Sequence, residues 1–338
     1  MLNAPVLLFP GFPEEVKMHK FIKPTIFVSR CLEFDHCRYN GQIISSAVVA
    51  RLKNHVNIIH HCPEVEIGLG IPRKSLRLIK KGNDIYLMQS QTEIEYTDKM
   101  KKYADNVLEE LQHVNGFILK GRSPSCGYKD VKIYPKMEKV PALNSKAVGI
   151  FAAKVKAKYP NLPLEDEGRF TNLKIREHFF TQIYLYAEFN SLQIKMKALI
   201  DFHARNKYLF MAYNQEKLKT AGRIVANHKK LDTEEVFKLY RKELYKIMNQ
   251  MPRYTSHINV MMHLMGYFSD KITKSEKEYF LKQIDLYRAD KIPLIAVTNI
   301  IKSWIIRFDM KYLENQNYFN PYLPALVSLK DSGKGRMK

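Results

Sequence analysis

Three of the four cysteines in this 338-residue chain stand just past short apolar runs. Ile26-Phe27-Val28 leads to Cys31, Val56-Asn57-Ile58-Ile59 to Cys62, and Phe117-Ile118-Leu119 to Cys126. Short runs of β-branched and aromatic residues that end in Gly, Pro or polar residues read as buried strands. Three thiols are therefore expected at three strand ends. In an open α/β sheet that is where ligands bind, in the crevice outside the carboxyl ends of the strands. Three cysteines converging there suggest a metal site with one position left open. The competing reading is three inert core thiols, since free cysteine is among the most buried residue types.

Spacing and neighbours narrow the chemistry. Thirty residues separate Cys31 from Cys62 and 63 separate Cys62 from Cys126, so there is no closely spaced pair of thiols. That disfavours a zinc ribbon or a thioredoxin-type centre. It also excludes the tight triple-cysteine loop of radical enzymes that use S-adenosylmethionine. An iron–sulfur cluster fits, because a three-thiolate site leaves one iron free to act as a Lewis acid. Glu64 follows Cys62 by two residues, and Ser123 precedes Cys126 by three with Pro124 stiffening the backbone between them. A carboxylate and a hydroxyl beside an open iron are what hydrolysis needs: a base for water and a donor for developing negative charge. Cys37 lies six residues after Cys31. It is either a fourth ligand, which would close the open iron, or a small packed hydrophobe, and the second is expected. His60 and His61 point to opposite faces of a strand end, so at least one is expected to be a satisfied core histidine.

The elements that must position these residues follow from periodicity. Up to about residue 140, short apolar runs alternate with amphipathic stretches, the βαβ alternation of a parallel sheet. Residues 99–114 put Tyr103, Val107, Leu108, Leu111 and Val114 on one helical face. Residues Ser145 to Tyr159 read as the last helix of this unit, stopped by the prolines and acidic cluster of 160–169. A domain boundary is expected near 170–190. Beyond it Leu, Met, Tyr and Phe recur at three- and four-residue spacing, as in a helical bundle. Helices are expected near 191–203, 205–227, 232–250, 252–269, 273–288 and 293–315, with breaks at Gly222, Pro252, Pro293 and Pro321. The tail 330–338 is polar and expected to fray. No internal repeat or low-complexity tract is evident.

With 46% apolar residues the chain can bury a full core, and its length suits two ordinary domains. The brief apolar stretch Val6 to Phe9 runs into Pro10, Gly11, Pro13 and two glutamates, unlike a signal peptide or a spanning helix. No membrane association is expected, and the cytoplasm is the expected location. Four scattered cysteines are too few for a disulfide framework. The net charge of +21 is shared by both halves: residues 1–160 hold 25 Lys and Arg against 15 Asp and Glu, and residues 161–338 hold 30 against 19. Such an excess is the footprint of a polyanion partner, most often nucleic acid.

Three blocks carry a family resemblance: Val28-Ser29-x-Cys31-Leu32 with Arg38-Tyr39-Asn40-Gly41, then Cys62-Pro63-Glu64-Val65-x-x-Gly68-Leu69-x-x-Pro72-Arg73, then Ser123-Pro124-Ser125-Cys126-Gly127. Together they resemble the 2-thiouracil desulfurase family over roughly residues 22–170. The resemblance implies a 4Fe-4S cluster held by Cys31, Cys62 and Cys126, with the fourth iron open to a thiocarbonyl sulfur. It implies that water replaces that sulfur, with Glu64 as acid/base and Ser123 as hydrogen-bonding residue. Arg38, Tyr39, Asn40, Arg73 and Ser125 of the same blocks are its candidate substrate-binding residues. Glu33, Phe34 and Cys37 depart from the family pattern, which usually has small or apolar residues there.

Residues 190–330 resemble a second family, the YbgA-like domain, through Phe202-His203-x-x-x-Lys207, Gly222-Arg223-x-Val225-Ala226-Asn227, His257-x-Asn259-Val260-x-x-His263-x-x-Gly266-Tyr267-Phe268, Tyr287-Arg288-x-x-x-Ile292-Pro293-Leu294 and Tyr318-x-x-Pro321-Tyr322. Fusions of the two resemble proteins that remove sulfur from 4-thiouridine in tRNA, the helical part supplying RNA contacts. Lys238, Arg241, Lys242 and Lys246 fall on one helical stripe suited to phosphates, or to a merely solvated face. His257, His263 and Tyr267 recur near one helical turn and are expected to pack rather than catalyse. The expected architecture is α/β: a parallel-sheet, Rossmann-like iron–sulfur domain over 21–170, then an all-α domain over 190–330. The expected activity is hydrolytic desulfidation of thiolated tRNA. Two alternatives remain: a desulfurase of free thiouracil or thiolated nucleotides, and a non-enzymatic RNA-binding protein whose cysteines hold structural zinc.

Overall fold

The computed structural model describes residues 21–330 except 139 and 228; the Val6–Phe9 stretch and nearly all of the polar tail lie outside the described residues. The first half runs β1 (Thr25–Ser29), α1 (Ala47–Leu52), β2 (Asn57–His61), α2 (Pro63–Glu66), β3 (Leu76–Lys81), β4 (Asp84–Gln89), α3 (Thr97–Glu110), β5 (Gly116–Leu119), β6 (Val131–Tyr134), β7 (Asn144–Ala147), α4 (Ile150–Lys158) and β8 (Leu164–Asp166). The second half is helical: α5 (Leu173–Asn190), α6 (Met196–Arg205), α7 (Lys207–Tyr213), α8 (Gln215–Ala226), α9 (Thr233–Ile247), α10 (Tyr254–Gly266), α11 (Lys274–Arg288), α12 (Leu294–Arg307) and α13 (Lys311–Glu314). The chain is thus α/β followed by all-α, as the patterning predicts. Among the described residues no helix is long and apolar enough to cross a membrane.

One sheet has the order β2-β1-β5-β8 with every pair parallel. Its central strand shows why the alternation matters. Phe27 joins a core with Met100, Val107, Phe151 and Ala152, whereas Ile26 and Val28 join one with Val49, Phe179, Phe180 and Ile183. Successive side chains point to opposite faces, so α3 and α4 cover one face while α1 and α5 cover the other.

The structure departs from the sequence reading in five places. A second, mixed sheet of order β4-β3-β6-β7 carries an antiparallel β3–β4 hairpin. The helix expected over 145–159 begins only at Ile150, because Asn144–Ala147 pairs with β6. The expected boundary at 170–190 is a continuous helix, α5, whose first half packs on the sheet and whose last residues, Leu185, Tyr186 and Phe189, enter the bundle core. The helix expected over 205–227 is two, because Asn214 leaves the helical path and its side chain accepts from the Lys217 N–H to start α8. Gly222, expected as a break, sits inside α8, where an added Cβ would stand 3.5 Å from His203 Nε2. That distance is an ordinary contact, so the glycine neither ends the helix nor is demanded by its packing.

Candidate active site

The three thiols leave three adjacent strands of the parallel sheet. Cys31 follows β1 by two residues, Cys62 is the N-cap of α2 directly after β2, and Cys126 ends the loop that follows β5. Hydrogen bonds lock these exits together: Arg30 N donates to His61 O at 2.9 Å, and Lys120 N donates to Ser29 Oγ at 2.9 Å. Cys31, Cys62 and Cys126 line one cavity of about 310 Å³ with Glu64, Arg73 and Ser123. The loop from Ser123 to Cys126 is held from below. Ser123 Oγ accepts from the N–H groups of Ser125 (3.2 Å) and Cys126 (3.1 Å), and Gly149 lies so close that an added Cβ would stand 2.5 Å from Ser125 O. With its oxygen accepting both bonds, the Ser123 hydroxyl proton is left to donate toward the cavity.

Cys37 also belongs to this pocket. It is fully buried, and the Cys62 thiol donates to its backbone carbonyl at 3.6 Å. The neighbouring Cys31 thiol, aided by burial and partly opposed by that of Cys62, pushes the Cys37 thiol up to about 11. The Cys62 thiol is raised by its hydrogen bond with Cys37 and by burial, and that of Cys126 by burial. All four cysteines are free of disulfides. Raised thiols of this kind become thiolates only when a positive group shares the pocket.

Glu64 is the best-anchored polar group at the cavity. Its Oε2 accepts from Arg73 Nε (2.9 Å) and Nη2 (2.7 Å), and its Oε1 accepts from Ser125 Oγ (3.0 Å). Arg73 Nη1 donates to the carbonyls of Cys37 (3.0 Å) and Gly70 (3.2 Å), and Nη2 lies 4.0 Å from Cys62 Sγ. The Arg73 guanidinium is therefore committed to protein acceptors, and Ser125, fully buried, is committed to Glu64. Both were expected to bind substrate; in this structure their side chains hold Glu64. Asn40 bonds with Gln42 and is not among the cavity residues. Arg38 and Tyr39 do line the cavity, with the Arg38 guanidinium 5.4 Å from the Tyr39 ring centre.

Sequence reading missed several cavity residues. Arg30, Lys120 and Arg122 bring three more cations to its wall. Arg30 pairs with Glu66 at 2.8 Å, and Lys120 pairs with Glu167, whose other oxygen accepts from Gly121 N at 2.8 Å. Arg122 adopts φ +60°, a left-handed conformation uncommon for arginine, and has no ion pair among the described residues. Adjacency to Ser123 was the one available signal for Arg122. Glu167 and Gly149 act from distant positions and carry no local signal.

Among the described residues, no three His, Cys, Asp or Glu side chains are gathered to hold a single metal ion. Thiols distributed around a cavity walled by cations instead suit a larger group with several thiolate attachments and negative charge. The residues present fit such a group.

The remaining predicted residues lie elsewhere. Lys238, Arg241, Lys242 and Lys246 are all exposed on α9. Lys246 pairs with Glu243 at 3.0 Å, and Arg241 stands 5.4 Å from the Phe189 ring centre. His257 is half-buried, with Nδ1 3.0 Å from Tyr318 Oη, while His263 is exposed. His61 stacks on Phe27 and His60 on Phe34, on the two sides of β2.

Comparison with known proteins divides the chain in the same way as its two folds. Residues 26–167 match the 2-thiouracil desulfurase family, and residues 207–323 match a family described as a protein of unknown function, DUF1722. The uncharacterised protein YbgA of Escherichia coli K12 is 31% identical over 137 residues, which is 40% of this chain and 80% of YbgA. The uncharacterised protein YbbK of Bacillus subtilis 168 is 31% identical over 110 residues, 30% of this chain and 72% of YbbK. A solved structure of the 4Fe-4S-dependent thiouracil desulfidase TudS is 25% identical, with 44% of this chain and 93% of that one covered and a TM-score of 0.36. This chain belongs to the 2-thiouracil desulfurase family in its first half and to the YbgA-like DUF1722 family in its second.

Proposed function

We propose that this protein is an iron–sulfur-dependent desulfidase that replaces the sulfur of 4-thiouridine in tRNA with oxygen from water. The observation that carries the reading is the convergence of Cys31, Cys62 and Cys126 at three adjacent strand ends on a cavity that also holds Glu64 and Ser123. In this reading Cys31, Cys62 and Cys126 hold a 4Fe-4S cluster, which when bound supplies a Lewis-acidic iron for the thiocarbonyl sulfur. The rest of the work falls to side chains. Glu64 takes a proton from the attacking water, and the two Arg73 hydrogen bonds with that of Ser125 fix its carboxylate in place. The Ser123 hydroxyl donates to negative charge as it develops at the reacting carbon's substituent. Arg38, Tyr39 and Arg122 at the cavity offer stacking and charge to the rest of the nucleotide. The balance is that of a hydrolysis: one carbon–sulfur double bond and one water give one carbonyl and one hydrogen sulfide, with no net oxidation.

The charge of +21 supports a polyanionic substrate over a free base. The test is anaerobic protein with iron and sulfide measured, assayed in parallel on thiolated tRNA and on free 2-thiouracil. Sulfide release with 4-thiouridine converted to uridine in tRNA is the expected result. Turnover of thiouracil alone overturns the tRNA substrate, and fully loaded protein inert on both overturns the enzyme. A zinc-only protein that binds RNA would establish the non-enzymatic alternative.

A further inference from the structure

We propose that a second cleft, at the opposite pole of the sheet from the thiols, binds an unpaired segment of RNA. The inference rests on RNA being the substrate and goes beyond it, because nothing in the thiol chemistry requires this cleft. It measures about 920 Å³. That is the upper end of the range for ligand sites.

Its position follows from strand direction. The first residue of β5, Gly116, abuts Ile183 and Pro163, and Pro163 lies in the cleft wall with Gln182 and Tyr186 of α5. The last residue of β5, Leu119, leads into the loop that carries Ser123 and Cys126. Cleft and thiols are thus separated by at least the length of this four-residue strand, about 13 Å. A free thiouracil in the thiol cavity cannot touch the cleft, whereas a polymer can occupy both.

The walls determine the ligand class. Lys217, Lys246 and Arg253 line the cleft and no carboxylate does. Amide side chains come from each wall: Asn161, Gln215, Gln250 and Asn259. Tyr213 and Tyr245 supply aromatic surface. Amides carry both donors and acceptors and match the edges of unstacked bases, tyrosine rings stack on them, and cations take phosphates. Lys217 is paired with Glu216 and Lys246 with Glu243, so Arg253 is the cation here without an ion pair among the described residues. Stacking and base-edge contacts must therefore supply most of the affinity. Binding here should depend on salt far less than binding to a phosphate-reading surface.

The test uses the full-length protein and two probes: a labelled six-nucleotide unstructured RNA, and tRNA lacking thionucleosides. The double variant Gln250→Glu/Arg253→Glu alters exposed side chains and should fold. It is expected to weaken both probes at least tenfold and to raise KM for thiolated tRNA by a similar factor. Its kcat and its sulfide release from free 2-thiouracil should match the wild type. Oligonucleotide affinity within twofold of wild type overturns the cleft. So does a wild-type oligonucleotide affinity that falls tenfold or more on going from 50 to 200 mM salt, which would mark a phosphate-reading surface instead. Wild-type protein that never turns over thiolated tRNA refutes the tRNA reading, and the oligonucleotide comparison then decides the cleft independently.

Discussion

Arg73 and Glu64 form a buried fork: two guanidinium nitrogens, at 2.9 and 2.7 Å, donate to one carboxylate oxygen beside the thiols. The Arg73 side chain is 3% exposed and that of Glu64 13%. Lysine cannot reproduce a two-pronged donor. Arg73→Lys is expected to keep the fold but release Glu64, lowering kcat by about 10- to 100-fold, the range of a misplaced general base. Glu64→Gln should retain iron and lose turnover more completely. Measured kcat and iron content separate the two, and an Arg73→Lys enzyme at full rate would show that Glu64 needs no anchor.

The four clustered thiols are not equivalent in the proposed site. Alanine at Cys31, Cys62 or Cys126 should abolish iron and sulfide binding, each removing a ligand. Cys37→Ala removes a buried thiol that shares the cavity with them yet should still load. Iron content with the visible absorption of each variant checks this. A colourless Cys37→Ala protein that remains folded would mean four ligands and no open iron.

The positions of the thiols were legible because each is punctuated locally: a β-branched run, then a polar exit. The Gly82-Asn83 loop between β3 and β4 is an equally local hairpin signal, with Lys81 pairing directly to Asp84, and it went unused. Helix α5 was illegible for a physical reason. It is buried by the sheet along one half and by the bundle along the other, so its apolar residues mark no single face. Glu167, holding Gly121, and Gly149, passing under Ser125, act through tertiary proximity that no spacing rule encodes. The bonds of Arg73 and Ser125 to Glu64 were not legible either, because a motif names residues but not which neighbour uses up their hydrogen bonds.

Gly149 gives the clearest steric prediction. An added Cβ would meet Ser125 O at 2.5 Å and Pro124 O at 2.8 Å, both backbone atoms that cannot swing aside. Gly149→Ala should cost about 1–3 kcal/mol of stability by overpacking. The loop displaced is the one carrying Ser123 and Cys126, so cluster loading should fall with it. Thermal melting and iron content check both effects; unchanged loading would mean that the loop is free to move.

Acid should destabilise the helical half. Burial lowers His178 and His257 from 6.5 to about 4, while Tyr213 and Tyr318 occupy their Nδ1 atoms. Between those values the unfolded chain binds protons that the folded chain refuses. Stability is therefore complete above pH 6.5 and declines as pH falls toward 4, by on the order of 3 kcal/mol per histidine. Denaturant unfolding followed by far-ultraviolet circular dichroism at pH 7.5 and 4.5 measures the loss. His257→Gln should reduce the pH dependence by about half, and an identical slope in that variant would exclude His257 as its source.

The α9 stripe separates charge that reads phosphate from charge that supports the fold. Lys238 and Lys242 are exposed and have no ion pair among the described residues, so the double alanine variant should lower the salt slope of tRNA binding by about 1–2 with little change in stability. Lys246 differs. Its partner Glu243 has a 5% exposed side chain, and the second carboxylate oxygen has no hydrogen bond. Removing Lys246 strands that carboxylate, so Lys246→Ala should lower the melting temperature, and Glu243→Gln in the same chain should restore it. Equal stability in Lys246→Ala, with a salt slope reduced as much as in the other pair, would make Lys246 a phosphate contact like its neighbours.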